Sequence, residues 1–354
     1  MARILHLTDA HIGKYPDGKA AYSVTNIDKI IQSVDKIEPD IIVFSGDITN
    51  NGFPREYAAA KQFLDMMQQY PNVIIPGNHD TFWIPEEGKI PDLFSGFLQK
   101  PYLESLNTLS ELKSLGIRFS RRGNEILPKV RIEEIDLDGL EFFREYVGDT
   151  EPSLNMKGVS IIGVDSTEGL TEILLKGRRE DNEWNRIVPE YAPELGYVGE
   201  GKETIKKKLS QVKGKKTTKI LAIHHNIIST PTPRKKYDSG RLLDAGDLLS
   251  LIMENNIQLV LQGHTHCPYI ITADSPSFKK NNKHTFVTGG ACATQHVMAL
   301  PGYPNENSYN IIDVEPDKLR VETWFTPSNK VIVSEIDDHS TARLHRTKVL
   351  DRYR

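Results

Sequence analysis

The sequence predicts an α/β protein in which helices cover a mostly parallel β-sheet and a second sheet packs against the first. Three observations predict it. Over the first 80 residues, short apolar runs alternate with stretches of helical spacing. Apolar runs of the same kind recur through the middle of the chain. Beyond about residue 285 they become short, closely spaced and joined by turn residues.

In chain order, residues 3–7 form an apolar run, 24–37 have helical spacing, 41–44 read as a buried strand, 56–69 are again helical and 73–75 form a third strand. This β-α-β-α-β order needs crossover connections, which implies parallel strands with helices lying on the sheet. Residues 159–164, 220–223 and 259–261 repeat the buried-strand pattern, with a helical stretch at 242–253 between the last two. Residues 286–288, 309–314, 319–325 and 331–336 are linked by turns such as Glu315-Pro316-Asp317. They suggest antiparallel strands that make the second sheet of a sandwich. The rhythm breaks from Phe82 to Pro152, where Pro, Gly and charge mix with weak helical signals. That stretch reads as an insertion near the site. Residues 341–354 are basic and weakly apolar, as a frayed end or a partner contact would be.

With 354 residues and 38% hydrophobic content the chain can bury a full core. A formal net charge of −4 and a pI near 6.3 give no global field for nucleic acid, so any attraction for anions is local. Cys267 and Cys292 are too few for a disulfide framework and fit buried thiols in a reducing compartment. The opening MARILHLTDAH has no signal-peptide core, and nowhere do 18 apolar residues run together. The expected location is the cytoplasm, with no membrane partner. Nothing in the sequence indicates an oligomeric state.

The chemistry lies in five clusters, each directly after an apolar run: Asp9-Ala10-His11, Gly46-Asp47, Gly77-Asn78-His79-Asp80, His224-His225 and Gly263-His264-Thr265-His266. Ligands of open α/β sheets bind beyond the carboxyl ends of the strands, so clusters far apart in sequence can converge there. Carboxylate oxygen and imidazole nitrogen suit zinc, manganese or iron, and the lack of thiolate disfavours a closed structural zinc site. Asp9 and His11 are two apart, as are His264 and His266, so each pair can project two groups to one side. One metal uses three or four ligands and the clusters offer about seven, a surplus that points to two ions sharing a carboxylate.

In order and spacing the five clusters resemble the calcineurin-like metallophosphoesterase superfamily, whose pattern is D-x-H, G-D, G-N-H-[DE], H and G-H-x-H. The match covers roughly residues 3–335, leaving an insertion at about 82–152 and a tail at 336–354. It implies a four-layer αββα sandwich of two mixed sheets flanked by helices, with the insertion as a cap-like segment. It also implies that Asp9, His11, Asp47 and His266 bind one metal and that Asp47, Asn78, His224 and His264 bind the other. His79 would serve the leaving oxygen. Two such ions neutralise phosphoryl oxygens and bring the pKa of a bridging water down towards 7, which makes a metal-bridging hydroxide available for in-line attack.

Some positions refine the resemblance. Relatives that dephosphorylate proteins carry a carboxylate at position 50 to orient the catalytic imidazole, and purple acid phosphatases carry a metal-binding tyrosine there. Asn50 weakens the acid role of His79 and argues against a tyrosinate-bound ferric ion. The blocks around Asp47 and Asn78 look most like the branch of class III cyclic-nucleotide phosphodiesterases and glycerophosphodiesterases, which implies a small phosphodiester as substrate. Repair exonucleases of the superfamily usually carry an aromatic residue two positions after Ile48 and more basic surroundings, so a nuclease is less favoured. A phosphomonoesterase and a metal-bearing interaction module without turnover would carry the same ligand set.

Each residue also has a plainer explanation. A lone Asp at a strand end usually caps the next helix, and a lone His is usually structural. The ordered set outweighs this for the seven ligands. His225 is placed in a structural role ahead of a substrate role, and Asp80 stays a candidate for supporting the ligands or substrate. The pairs and runs Arg178-Arg179 and Arg234-Lys235-Lys236 read as solvated loop charge, and Phe82, Trp83 and Ile84 as insertion packing or a substrate wall.

Overall fold

The computed structural model describes residues 1–13, 20–81, 118–122, 125–129, 139–169, 195–212, 217–228, 242–277, 280–295, 297–298, 303–315, 318–337 and 348–351. The first apolar run is β1 (Ala2–Leu7), followed by α1 (Val24–Ile37), β2 (Ile41–Ser45), α2 (Pro54–Gln68) and β3 (Asn72–Ile75). Next come a single turn, α3 (Asn78–Thr81), a hairpin of β4 (Arg118–Arg122) and β5 (Glu125–Lys129), and α4 (Gly139–Tyr146). The middle of the chain holds β6 (Ser153–Met156), β7 (Val159–Val164), α5 (Gly201–Gln211), β8 (Thr218–Ile223), α6 (Ala245–Glu254) and β9 (Leu259–Gln262). The remaining strands are β10 (Tyr269–Ser277), β11 (Lys280–Thr288), β12 (Asn307–Val314), β13 (Lys318–Thr326), β14 (Lys330–Asp337) and β15 (Lys348–Asp351).

Two large sheets result. One runs β15-β14-β13-β12-β1-β2-β3 and the other β10-β11-β9-β8-β7-β6. β1, β2 and β3 are parallel, as are β7, β8, β9 and β11, while β12 to β15 are antiparallel. This corrects the expected assignment of strands to sheets. The late antiparallel strands do not make the second sheet; β12 pairs with the open edge of β1 and extends the first, and the central strands β7 to β9 build the second. The run at 286–288 is the end of β11, which lies parallel to β9 although its hairpin partner β10 is antiparallel to it. An apolar pattern reports that a strand is buried, not which neighbour it takes. The tail is likewise not wholly frayed, since β15 pairs with β14 at the sheet edge.

Three apolar clusters fill the spaces between four layers. Leu5, Leu7, Ile42, Phe44 and Ile74 of the first sheet meet Ile27, Ile30 and Val34 of α1 and Tyr57, Phe63 and Met67 of α2. Ile4, Val43 and Val73 face Ile161, Ala222 and Leu261 across the two sheets. Leu221, Ile223 and Val260 meet Ile205 of α5 and Leu248 and Ile252 of α6. Strands covered on both faces lose the alternation of a half-exposed strand, which is why β2 is buried throughout. The helices are set by local chemistry as well. The Ser23 side chain accepts the Asn26 N–H to cap α1, and Pro54 opens α2 with Glu56 reaching back to the Phe53 N–H. α4 lies within the segment expected as an insertion, yet its Phe143 is buried in the α1/α2 cluster. Phe82, Trp83, Ile84, Arg178, Arg179, Arg234, Lys235 and Lys236 lie outside the described residues.

Candidate metal centre

All five clusters emerge from strand ends on one side of the sandwich and converge between the two sheets. Asp9 and His11 follow β1, Asp47 follows β2, Asn78 and His79 open α3 after β3, His224 follows β8, and His264 and His266 follow β9. Turning so many side chains inward demands unusual backbone. Asp9, His11, Asp47, His264 and His266 have φ of 53°, 49°, 60°, 70° and 55°, a region that non-glycine residues seldom adopt. Strain of this kind persists where the surroundings fix it and the site requires it. The glycines allow close approach. A Cβ on Gly77 would lie 2.2 Å from Asp47 Oδ1, and one on Gly263 would lie 2.0 Å from Thr8 Oγ1.

Two groups of donor atoms form. In the first, His11 Nε2 is 3.0 Å from His266 Nε2 and 3.5 Å from Asp47 Oδ2, and His266 Nε2 is 3.3 Å from Asp9 Oδ1. In the second, Asn78 Oδ1 is 3.1 Å from both His224 Nε2 and His264 Nδ1, and His224 Nε2 is 3.3 Å from Asp47 Oδ2. With ligand bonds of about 2.0–2.2 Å, donor atoms around one cation sit roughly 3.0–3.5 Å apart, so each group has the spacing a single ion needs. The side chains are buried, and all offer oxygen or nitrogen. His225 also brings a ring nitrogen within 4.8 Å of His224 and His264. Its Nδ1, however, is 2.8 Å from Ser166 Oγ, whereas the Asn78 oxygen points at both imidazoles, so Asn78 completes the second group better.

The charges also ask for cations. Burial alone would raise Asp9 and Asp47, yet surrounding imidazoles, chiefly His266 for Asp9 and His224 for Asp47, hold both carboxyls below their usual range. Burial opposes a charge on His224, but Asp47 outweighs it and lifts the imidazole to about 9. His11 is lowered to about 4 by burial and by His79, and His264 is lowered by burial and by His225. The chain alone thus pairs the buried Asp47 carboxylate with an imidazolium at His224, and a metal ion would replace that proton.

Supporting contacts surround the donors. The Ser45 carbonyl accepts the His224 Nδ1–H at 2.8 Å, and the Thr8 hydroxyl donates to Asp9 Oδ2 at 2.7 Å. The His264 N–H donates to both Asp9 oxygens, at 3.2 and 3.0 Å. Asp80 is buried and ties two clusters together: its carboxylate accepts N–H groups from Asp47, Ile48, Thr49 and Gly77. Burial and the nearby Asp47 raise its pKa to about 6, against the pull of those donors, so it is ionised at neutral pH. His79 is half-buried; its N–H donates to Asp47 Oδ1, and its ring lies edge-on to His11 with centroids 4.5 Å apart. The role expected of the Asn50 side chain is corrected. His79 Nδ1 donates at 2.7 Å to the main-chain oxygen of Asn50, a group every residue type supplies.

Motif spacing did not single out Thr8, Ser45, Ser166 or His6. The signal available was position, since each is a polar residue within or just beyond a buried strand. Cys267 and Cys292 are buried and unpaired with each other. Among the described residues no helix is long and apolar enough to cross a membrane.

A family model for calcineurin-like phosphoesterases matches residues 2–268, and the chain belongs to that family. It is 35% identical over 84 residues to an Arcobacter nitrofigilis protein named "Probable glycerophosphodiester phosphodiesterase GpdQ", covering 22% of this chain and 30% of that one. It is 25% identical over 178 residues to a "Probable cyclic nucleotide phosphodiesterase" of Vesicomyosocius okutanii subsp. Calyptogena okutanii, covering 49% of this chain and 72% of that one. The chain therefore spans less than a third of the length of the first of these relatives. Its fold matches purple acid phosphatase PPD1 of yellow lupin with a TM-score of 0.54 and 14% identity, over 95% of this chain and 53% of that one. At that identity the likeness is one of fold alone.

Proposed function

We propose that this phosphoesterase is a phosphodiesterase that hydrolyses a small phosphodiester at a dinuclear centre of manganese, iron or zinc. The observation that carries the reading is the place of Asp47, whose Oδ2 faces His11 Nε2 at 3.5 Å and His224 Nε2 at 3.3 Å and so can serve both groups. Asp9, His11, Asp47 and His266 would hold one ion, and Asp47, Asn78, His224 and His264 the other. Two cations so held supply charge to phosphoryl oxygens and lower the pKa of water towards 7.

The chain's own part is positioning and proton transfer. With His224 Nδ1–H on the Ser45 carbonyl, its Nε2 lone pair is the one turned to the centre. With His79 Nδ1–H on the Asn50 carbonyl, proton exchange falls to Nε2, and that nitrogen protonates the departing alkoxide. A carbonyl carries no net charge, so it orients the ring without placing a charge beside it. The names of the matched relatives and the near-neutral net charge support a small diester over a polymer.

The test compares bis(p-nitrophenyl) phosphate with p-nitrophenyl phosphate, with manganese restored after chelation, for wild type and Asp47→Asn. Faster diester hydrolysis, lost in the variant along with bound metal, is expected. Faster monoester hydrolysis would overturn the diester assignment, and a wild type without metal or turnover would overturn the whole reading.

A further inference from the structure

On the face of the first sheet that meets the second, one hydrogen-bonded polar row crosses four strands. Thr323 on β13, Asn310 on β12, His6 on β1 and Ser45 on β2 lie side by side across four strands, all buried. The Thr323 hydroxyl donates to Asn310 Oδ1 at 2.8 Å, and Asn310 Nδ2 donates to His6 Nδ1 at 3.2 Å. His6 Nε2 then donates to Ser45 Oγ at 2.9 Å. The rows beneath it are aliphatic, with Ile4, Ile312, Val43 and Val321 on the same face. Burial lowers His6 to about 3, so its ring stays neutral with one donor and one acceptor nitrogen. A buried polar row in an aliphatic layer stabilises little unless every member is satisfied, and it imposes one arrangement on what it touches.

What it touches is the residue that carries the metal loop. Ser45 is the last residue of β2, and its carbonyl receives the His224 Nδ1–H. Directly after it the backbone turns through Gly46 (φ 94°) and Asp47 (φ 60°). The Ser45 peptide thus governs both the aim of His224 and the start of the turn that presents Asp47.

We infer that His6 is a positioning residue for the metal centre, acting through Ser45 on His224 and Asp47, with the Thr323-Asn310 pair fixing its ring. Among the described residues no hydrogen bond joins His6 to a candidate ligand; its effect passes through the Ser45 side chain and peptide. The inference rests on the dinuclear reading above.

Metal stoichiometry and manganese affinity, measured by elemental analysis and titration calorimetry on the full chain, test it in His6→Leu, Ser45→Ala and His6→Gln. Val321→Ala, in the same apolar layer but outside the polar row, serves as the control. Removing an outer contact of a metal ligand typically weakens binding by about 10–100-fold. His6→Leu and Ser45→Ala are expected to weaken one of the two ions by about tenfold, and His6→Gln, which keeps a side-chain donor, to recover much of the loss. Val321→Ala lowers the unfolding temperature without changing affinity. If wild type binds two ions and Ser45→Ala binds them equally well, the inference is overturned even where His6→Leu fails to fold. If wild type binds none, the dinuclear reading itself fails.

Discussion

Replacing Asp80 with Asn tests whether one buried carboxylate holds two ligand loops in place. Its Oδ2 receives N–H groups from Asp47 at 2.8 Å, Gly77 at 3.0 Å and Ile48 at 3.2 Å, and Oδ1 receives the Thr49 N–H and hydroxyl, both at 2.9 Å. An amide keeps one oxygen. If that oxygen stays with Asp47, Gly77 and Ile48, the new NH2 can donate to the Thr49 hydroxyl, but the Thr49 N–H then faces a donor. One orphaned buried N–H costs about 1–3 kcal/mol. Loss of ionic character weakens the three retained bonds by roughly 0.5–1 kcal/mol each. The amide is cheaper to bury than the carboxylate and ends the repulsion with Asp47 that helps raise Asp80 to about 6, which returns about 2–3 kcal/mol. A net loss of about 1–2 kcal/mol remains, equivalent to a Tm lower by roughly 1–3 °C in a domain of this size. Thermal and urea unfolding of the chelated protein measure it free of metal contributions. Metal uptake after reconstitution should fall as well, because the Asp47 and Asn78 loops are no longer clamped together. A variant within about 0.5 kcal/mol of wild type, with full metal uptake, would refute the clamp.

Two further outcomes follow from the site and its surroundings. His79→Gln should retain both ions while kcat falls by about 10²–10⁴; the loss should shrink with p-nitrophenolate as leaving group and grow with an alkyl alcohol, which steady-state kinetics on bis(p-nitrophenyl) phosphate and on a dialkyl phosphodiester would show. Glu56 is lifted from 4.5 to about 7 by burial, despite the N–H groups of Asn51 and Phe53 and the Asn51 amide. Between those values the folded chain holds more protons than the unfolded one, so stability falls as pH rises from about 4.5 to about 7. Glu56→Gln removes that loss and should gain on wild type by up to about 3 kcal/mol between pH 4.5 and pH 8, read by urea unfolding at each pH.

Legibility in the sequence followed the length scale of the cause. β1, α1, β2, α2 and β3 were readable to within two residues at each end, because apolar spacing is a local signal. The candidate ligands were readable from spacing too, since Asp9-x-His11 and His264-x-His266 encode geometry within one turn of chain. The β10/β11 hairpin and β15 were missed. Their residues, such as Asp274, Lys283 and Lys348, lack the apolar run of a buried strand, and pairing along the backbone holds them. α5 was missed because only Ile205 and Leu209 of its residues are buried, among lysines that face solvent. The neighbour of β1 was illegible because Ile312 satisfies the same burial whichever strand it joins. Backbone partners were the least visible. Position 50 was read by its side chain, while the Asn50 carbonyl makes the contact with His79.

The pairing of β1 with β12, from Ala2 opposite Val314 to His6 opposite Asn310, has a consequence for how the chain comes into being. Residues 2–268 already contain every candidate ligand, yet the strand that covers the β1 edge is made about 300 residues after β1. At a synthesis rate of ~5–20 residues/s, roughly 15–60 s separate the two. Through that interval β1 presents unpaired N–H and C=O groups and half of an aliphatic face, the features that recruit other strands. The centre is therefore complete in composition well before the β1 edge beside it is covered.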